Sequence, residues 1–226
     1  MIHKLSTMVN VLYEERLVAG FTQLNKFVEC PIHPFPTAQE IMQSISPDST
    51  WFAKLDAVKG YHQIELDESS RDLTTILLPR GKYRYTRAPM GLTSSSDEFC
   101  ARTDAALEGL EGTLKLVDDI LVTGKDKETI LTRLKLVLQR CREHGITLSK
   151  KKAKIAQEVK FAGYIVNKEG VKPDPEKKAA ILNFPKPANI SELRGFFGLA
   201  NQLGHFIPDL AHVTEPMRQL LRKCSS

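Results

Sequence analysis

Lys115-Leu-Val-Asp118-Asp119-Ile-Leu-Val122 climbs an apolar run to two adjacent aspartates and leaves on a second apolar run. Leu114 and Leu116 on one side, Ile120 and Val122 on the other, give two short segments with strand-like alternation and β-branched content. An Asp-Asp pair suits the tip of a tight hairpin, because carboxylates accept from nearby backbone amides and tolerate unusual dihedrals. Two carboxylates crowded between apolar strands repel each other, and a hard divalent cation with oxygen ligands removes that repulsion. A solvated turn on a surface hairpin would read the same way. A third carboxylate and room for a substrate separate a site from a turn.

Asp56 is the third candidate. It ends another apolar run, Trp51-Phe-Ala-Lys-Leu-Asp56, ahead of Ala57-Val-Lys-Gly-Tyr61-His-Gln-Ile64. Further blocks follow in one order around these two. They are Leu24-Asn25-Lys26, Arg87-Ala-Pro-Met-Gly-Leu-Thr93, Leu148-Ser-Lys-Lys-Lys152, Phe161-Ala-Gly-Tyr164, Pro173-Asp-Pro-Glu-Lys177 and Leu193-Arg-Gly-Phe-Phe-Gly-Leu-Ala200. From about Arg16 to Lys223 the chain resembles the polymerase palm of reverse transcriptases, specifically those of gypsy-class LTR retrotransposons. Any one block is weak; their shared order makes the resemblance specific.

Composition sets the outer bounds. A chain of 226 residues suits one large domain or two small ones. At 42% hydrophobic it has the material for a buried core, which argues against wholesale disorder. A net charge of +5 permits a polyanionic partner without demanding one. Cys30, Cys100, Cys141 and Cys224 are scattered, with no C-x-x-C pair, and read as reduced thiols of an intracellular protein. There is no run of about 18 apolar residues to span a membrane. The first residues lack the apolar stretch of a secretory signal.

Element signals follow the chain. Cys30-Pro-Ile-His-Pro-Phe-Pro36 is a proline-punctuated connector, after which a helix starts near Thr37 with Ile41, Met42 and Ile45 as its apolar face. Phe52 to Asp56 is expected as a buried strand, with His62, Ile64 and Leu66 alternating as another. Leu73 to Leu78 and Tyr83 to Arg87 form an expected hairpin. Ser94-Ser-Ser before Asp97 and Glu98 reads as a cap for a helix bearing Phe99, Thr103, Ala106 and Leu107, stopped by Gly109. Ile130, Leu131, Leu134, Val137, Leu138 and Cys141 recur at helical spacing up to Gly145. Ser149 to Lys154 is the densest basic run, either a solvated face or a border to phosphates. Val159 to Val166 and Val171 give a second hairpin across Asn167 to Gly170. Asp174-Pro175 opens a short helix, Ser191 caps another, and a last helix follows Pro208 through Met217, Leu220 and Leu221.

The resemblance implies more than these patterns do. It implies an α+β fold: a palm with an antiparallel sheet backed by helices, partial fingers, and a small helical thumb and connection part. The expected divisions are 1–50 for fingers and connector, 51–170 for the palm and 171–226 for the thumb. The implied activity is RNA-directed DNA polymerase, with two Mg²⁺ ions, or Mn²⁺ as substitute, held by Asp56, Asp118, Asp119 and the carbonyl of Ala57. Adjacent strand residues point to opposite faces, so Asp118 and Asp119 converge only if the turn rotates one of them; Asp56 and Asp118 are the favoured pair. Arg16 is implied at the triphosphate, Tyr61 under the incoming sugar, and Gly91 at a close backbone approach to template and nucleotide. Implied partners are an RNA or DNA template with primer and deoxynucleoside triphosphates. Ribonuclease H and integrase domains of a polyprotein are implied beyond this chain, and no membrane. The implied location is cytoplasm or virus-like particle, with the nucleus as a further place.

Three departures stand against the family pattern. Gly20 replaces the usual aspartate, Leu116 replaces the aromatic residue two before the paired aspartates, and Ser95-Ser96-Asp97 replaces an Ala-Pro. Only about fifteen residues precede Arg16, too few for full fingers, and no ribonuclease H region follows. The alternative expectation is therefore a truncated, inactive retrotransposon remnant, at most a nucleic-acid-binding or structural module. A two-metal nuclease is a weaker third reading, because it leaves Tyr61 and the Gly91 turn unexplained.

Overall fold

The computed structural model describes residues 11–13, 16–29 and 33–222. In chain order the strands and α-helices are β1 (Val11–Tyr13), β2 (Arg16–Val18), α1 (Ala38–Gln43), β3 (Trp51–Asp56), α2 (Glu68–Arg71), β4 (Ile76–Leu78) and β5 (Gly81–Tyr83). Then come α3 (Thr93–Leu107), β6 (Thr113–Leu116), β7 (Asp119–Gly124), α4 (Lys127–Glu143), β8 (Lys154–Ala156), β9 (Glu158–Phe161), β10 (Tyr164–Asn167) and β11 (Gly170–Pro173). Helices α5 (Pro175–Leu182), α6 (Ile190–Gln202) and α7 (Leu210–Arg222) complete the chain. The class is α+β, and the expected central hairpin is β6–β7.

The central sheet has the order β6-β7-β3-β8, with β3 antiparallel to both neighbours. Alternation along β3 assigns its two faces. Ala53 and Leu55, with Ile120 and Val122 of β7, pack on Ala106 and Leu107 of α3 and on Ile130, Leu134, Val137 and Cys141 of α4. Phe52 and Leu121 face the other way, onto Ile41 and Met42 of α1 and onto Val159, Phe161, Tyr164 and Val166 of the β11-β10-β9 sheet. Both faces of β3 are thus covered, which is why it reads as a near-continuous apolar run. Phe52 is fully buried; such a side chain contributes about 1.5–3 kcal/mol by leaving water. A third cluster joins Ala19 and Phe21 to Ile76.

Local signals explain most helix starts. Thr37 caps α1 in a reciprocal capping box with Glu40. Asp126 caps α4 by accepting from the Thr129 amide, and Asp174 with Pro175 starts α5 as the dipeptide suggests.

Several expectations need correction. Residues His62 to Leu66 are not a strand: Gly60–Gln63 is a 3-10 turn, and only Glu65 makes a single bridge, to Arg87. The β4–β5 hairpin is shorter than expected and turns at Pro79-Arg80, because Leu78 already pairs with Gly81. Ser94 to Ser96 lie inside α3, whose cap position is Leu92 with no side-chain bond; Asn25 supplies the acceptor from a distant element, taking the Thr93 amide at 3.1 Å. Asn189, not Ser191, caps α6. Leu131 and Leu138 are exposed, so the buried stripe of α4 is narrower than the apolar spacing suggested. Cys30 and Cys224 fall outside the described residues; Cys100 and Cys141 are free and buried. No helix among the described residues is long and apolar enough to cross a membrane.

Candidate active site

The site lies at one end of the central sheet. In the β3–β7 register Asp56 stands directly across from Asp119, and in β6–β7 Leu116 pairs with Asp119. Val117 and Asp118 are therefore the two-residue turn. Val117 has φ +55°, left-handed backbone that a β-branched residue rarely adopts. The Ala57 amide donates to the Asp118 carbonyl at 3.0 Å and fastens the turn to the end of β3. This answers the question of convergence. Asp118 is on the turn and lines the same cavity as Asp56, while Asp119 stays in the strand and pairs with Lys54 Nζ at 3.1 Å.

The cavity, about 460 Å³, is lined by Asp56, Asp118, Tyr61, Tyr85, Met90 and Lys152 together with the Ala57–Gly60 turn. Its volume is in the range of small-ligand clefts. Asp56 is largely shielded, and the Lys152 ammonium lies 2.9 Å from Oδ1 and 3.0 Å from Oδ2. Burial pushes the Asp119 carboxyl above the usual range; Lys54 opposes that, and the charges of Asp118 and Asp56 add to it. Asp119 therefore senses both other carboxylates, although it does not line the cavity.

Oxygen donors of this kind suit a hard divalent cation. Asp56 and Asp118 are the two carboxylates that can hold one from within the cavity, with Ala57 beside them and Asp119 flanking. Among the described residues no three carboxylate, imidazole or thiol groups close into a single cluster; Asp119 is drawn to Lys54 and Asp56 to Lys152.

The floor is set by the 3-10 turn. Tyr61 is half-buried with its ring edge-on to Phe99 at 6.1 Å between centroids. Burial, and then the Asp118 charge, raise its phenol above the ordinary tyrosine value, so it is a neutral hydroxyl near pH 7. A Cβ at Gly60 would stand 3.0 Å from the Phe99 ring, so glycine is what lets Phe99 support the turn. Gly91 has φ +93°, and a Cβ there would come within 2.6 Å of the Ala19 carbonyl. Gly91 thus approaches this chain's own backbone closely. Asn25 holds the same turn, donating to the Gly91 carbonyl at 2.9 Å. Arg16 is in β2, and its side chain lies outside the described residues.

Sequence reading missed three residues of this site. Gln63 ties the Tyr61 turn to Thr147. Lys54 was legible as an exception, a charge inside an apolar strand two residues before Asp56. Lys152 was lost among the other lysines of its run, because nothing in spacing says which of them reaches Asp56.

The family model for reverse transcriptase (RNA-dependent DNA polymerase) matches residues 4–166. The chain is 32% identical over 211 residues to the retrovirus-related Pol polyprotein from transposon 412 of Drosophila melanogaster, covering 92% of this chain and 17% of that one. The Pol polyprotein from transposon gypsy of the same organism is also 32% identical, with 20% of its length covered. The Tf2-3 transposon polyprotein of Schizosaccharomyces pombe is 31% identical, with 16% covered. The chain thus spans no more than a fifth of these relatives. In fold it is similar to foamy viral protease-reverse transcriptase. The complex of its dRH form with double-stranded DNA has a TM-score of 0.88 at 23% identity, over 96% of this chain and 38% of the other. The complex with RNA/DNA hybrid has a TM-score of 0.86 at 23% identity, over 96% and 30%. With the matched family model, this chain belongs to the reverse transcriptase (RNA-dependent DNA polymerase) family, and the relatives it matches are Pol polyproteins of LTR transposons.

Proposed function

We propose that this chain is the polymerase segment of a retrotransposon Pol polyprotein and extends a primer 3′-hydroxyl by nucleotidyl transfer on an RNA template. The observation that carries the reading is the meeting of Asp56 and Asp118 in one cavity above Tyr61, with Asp119 paired in register to Asp56. Residues 51–170 serve as the palm in this reading, with 1–50 as fingers and connector and 171–226 as thumb. Support for the partners comes from the solved complexes of the foamy viral protein with DNA and with RNA/DNA hybrid.

Each residue has a task. Asp56 and Asp118 would hold divalent cations, Mg²⁺ or Mn²⁺, with Asp119 and the Ala57 carbonyl completing the set. When bound, two such ions stabilise the charge that develops on the attacking and leaving oxygens. Tyr61, fixed edge-on against Phe99, offers a flat neutral surface under an incoming sugar. Lys54 holds Asp119 in place. Arg16 is assigned to the triphosphate, whose oxygens a guanidinium fork fits. Gly91 shapes the turn that brings Met90 to the cavity wall.

The test is primer extension on an RNA template with Mg²⁺ and deoxynucleotides, beside the Asp118→Asn/Asp119→Asn double variant. Extension by the parent and none by the variant is the expected result. A second reading, a folded but inactive remnant, is favoured by the two lysines that already neutralise Asp56 and Asp119. A parent chain that folds and binds template-primer but does not extend it supports that second reading.

A further inference from the structure

Asp56 and Asp119 each carry a lysine, but the two lysines are built differently. Lys54 is a residue of β3, in the middle of the sheet, paired through its backbone to Leu121 on one side and Lys154 on the other. Its side chain is 26% exposed and reaches one Asp119 oxygen. Lys152 belongs to the turn after Ser149, outside any strand; its side chain is 59% exposed, and its ammonium bridges both oxygens of an Asp56 that is 13% exposed. A shielded carboxylate needs a counter-charge. An ammonium is a compact point charge that imposes no coordination geometry, and its long stem can swing into solvent. An ammonium this close to both oxygens repels a metal ion approaching the same carboxylate.

We propose that Lys152 is a displaceable counter-ion. It neutralises Asp56 while the site holds no divalent cation, and it must leave both Asp56 oxygens before a cation can take them. Lys54, anchored in the sheet, stays with Asp119 throughout. Metal entry is thereby an exchange of one cation for another, and Asp56 is neutralised both before and after it. The inference rests on reading Asp56 and Asp118 as metal ligands.

Mn²⁺ binding to the full chain tests it, followed at about 0.15 M ionic strength by loss of the free-ion paramagnetic resonance signal. The variants are Lys152→Met, Lys151→Met and Asp56→Asn. Lys151→Met removes the same unit of charge from an exposed neighbour and controls for net charge. Lys152→Met is expected to bind Mn²⁺ about fivefold more tightly than the parent, the scale of releasing one partly exposed ion pair. Lys151→Met should stay within about twofold, because an exposed charge that does not touch Asp56 is screened. Equal gains in both lysine variants, or no gain in Lys152→Met, would overturn the proposal while Asp56→Asn still loses Mn²⁺. If the parent binds no Mn²⁺, or Asp56→Asn binds it as the parent does, the metal-site reading itself fails and the counter-ion role falls with it.

Discussion

Gln63 and Thr147 clasp each other across the back of the site. The Thr147 amide donates to Gln63 Oε1 at 2.8 Å, and Gln63 Nε2 donates to the Thr147 carbonyl at 3.0 Å and to the Val58 carbonyl at 2.7 Å. One side chain thus locks the turn carrying Ala57 to Tyr61 against the segment leading to Lys152. Gln63→Ala should cost about 1–3 kcal/mol, from the net worth of several hydrogen bonds and the pairing they enforce. Urea denaturation gives the loss. Amide exchange should speed up at residues 57–61 and 146–149 together, and exchange at only one of the two segments would contradict the clasp.

Gly91→Ala should destabilise the chain for two reasons. The left-handed φ of +93° strains any L side chain, and the added methyl would meet the Ala19 carbonyl at 2.6 Å. The expected loss is about 1–3 kcal/mol. Gly20→Ala is the control, since open space surrounds that position. Thermal unfolding should separate the two variants clearly.

Asp119 gives a pH dependence with a definite sign. Burial raises its folded pKa above the ordinary value of 3.8. Between those two values the native state binds more protons than the unfolded one, so this carboxylate favours the native state as pH falls and costs stability once ionised. Asp119→Asn should therefore be more stable than the parent at pH 7, despite the lost Lys54 partner. The advantage should shrink as pH drops through the raised pKa and vanish below 3.8. Urea midpoints at pH 7 and pH 3.5, on parent and variant, check both the sign and the window.

Mg²⁺ should raise the melting temperature without nucleic acid present. A ligand that binds only the folded state at about 100 times its Kd adds about 2.7 kcal/mol. The shift should saturate with Mg²⁺ concentration and be lost in Asp56→Asn. A shift that NaCl of matched ionic strength reproduces would attribute the effect to screening alone.

Cys100 and Cys141 should resist thiol reagents in the folded chain. Both are buried, and burial pushes the Cys141 thiol up to about 11, leaving almost no thiolate at pH 8. Mass-spectrometric mapping after brief alkylation should find both unmodified until denaturant is added.

The parts of the fold that could be read in advance are those whose causes are local. The apolar runs at Trp51–Asp56 and around Asp118-Asp119 became paired strands because alternation and β-branched content act over a few residues. Thr37 with Glu40, and Asp174 with Pro175, mark helix starts by contacts within one turn. Long-range causes stayed hidden. Asn25 caps a helix 68 residues away, so Ser94 to Ser96, locally better caps, ended up inside it. His62 and Ile64 alternate like a strand, but Gly60 packs against Phe99 and His62 Nδ1 donates to the Ala88 carbonyl, which bends the segment into a 3-10 turn. The three aspartates could be picked out by resemblance, whereas the lysines that answer them depend on tertiary placement.

The left-handed backbone at Val117 gives two chemically identical neighbours different surroundings. Through that one residue, Asp118 leaves the strand and turns into the cavity while Asp119 remains in the ladder beside Lys54. Duplication of the aspartate is consequently not redundancy, and exchanging the fates of the two would require a new backbone rather than a new side chain. Position 117 acts as a setscrew: its left-handed backbone aims Asp118, while the strands on either side are held by their own pairing.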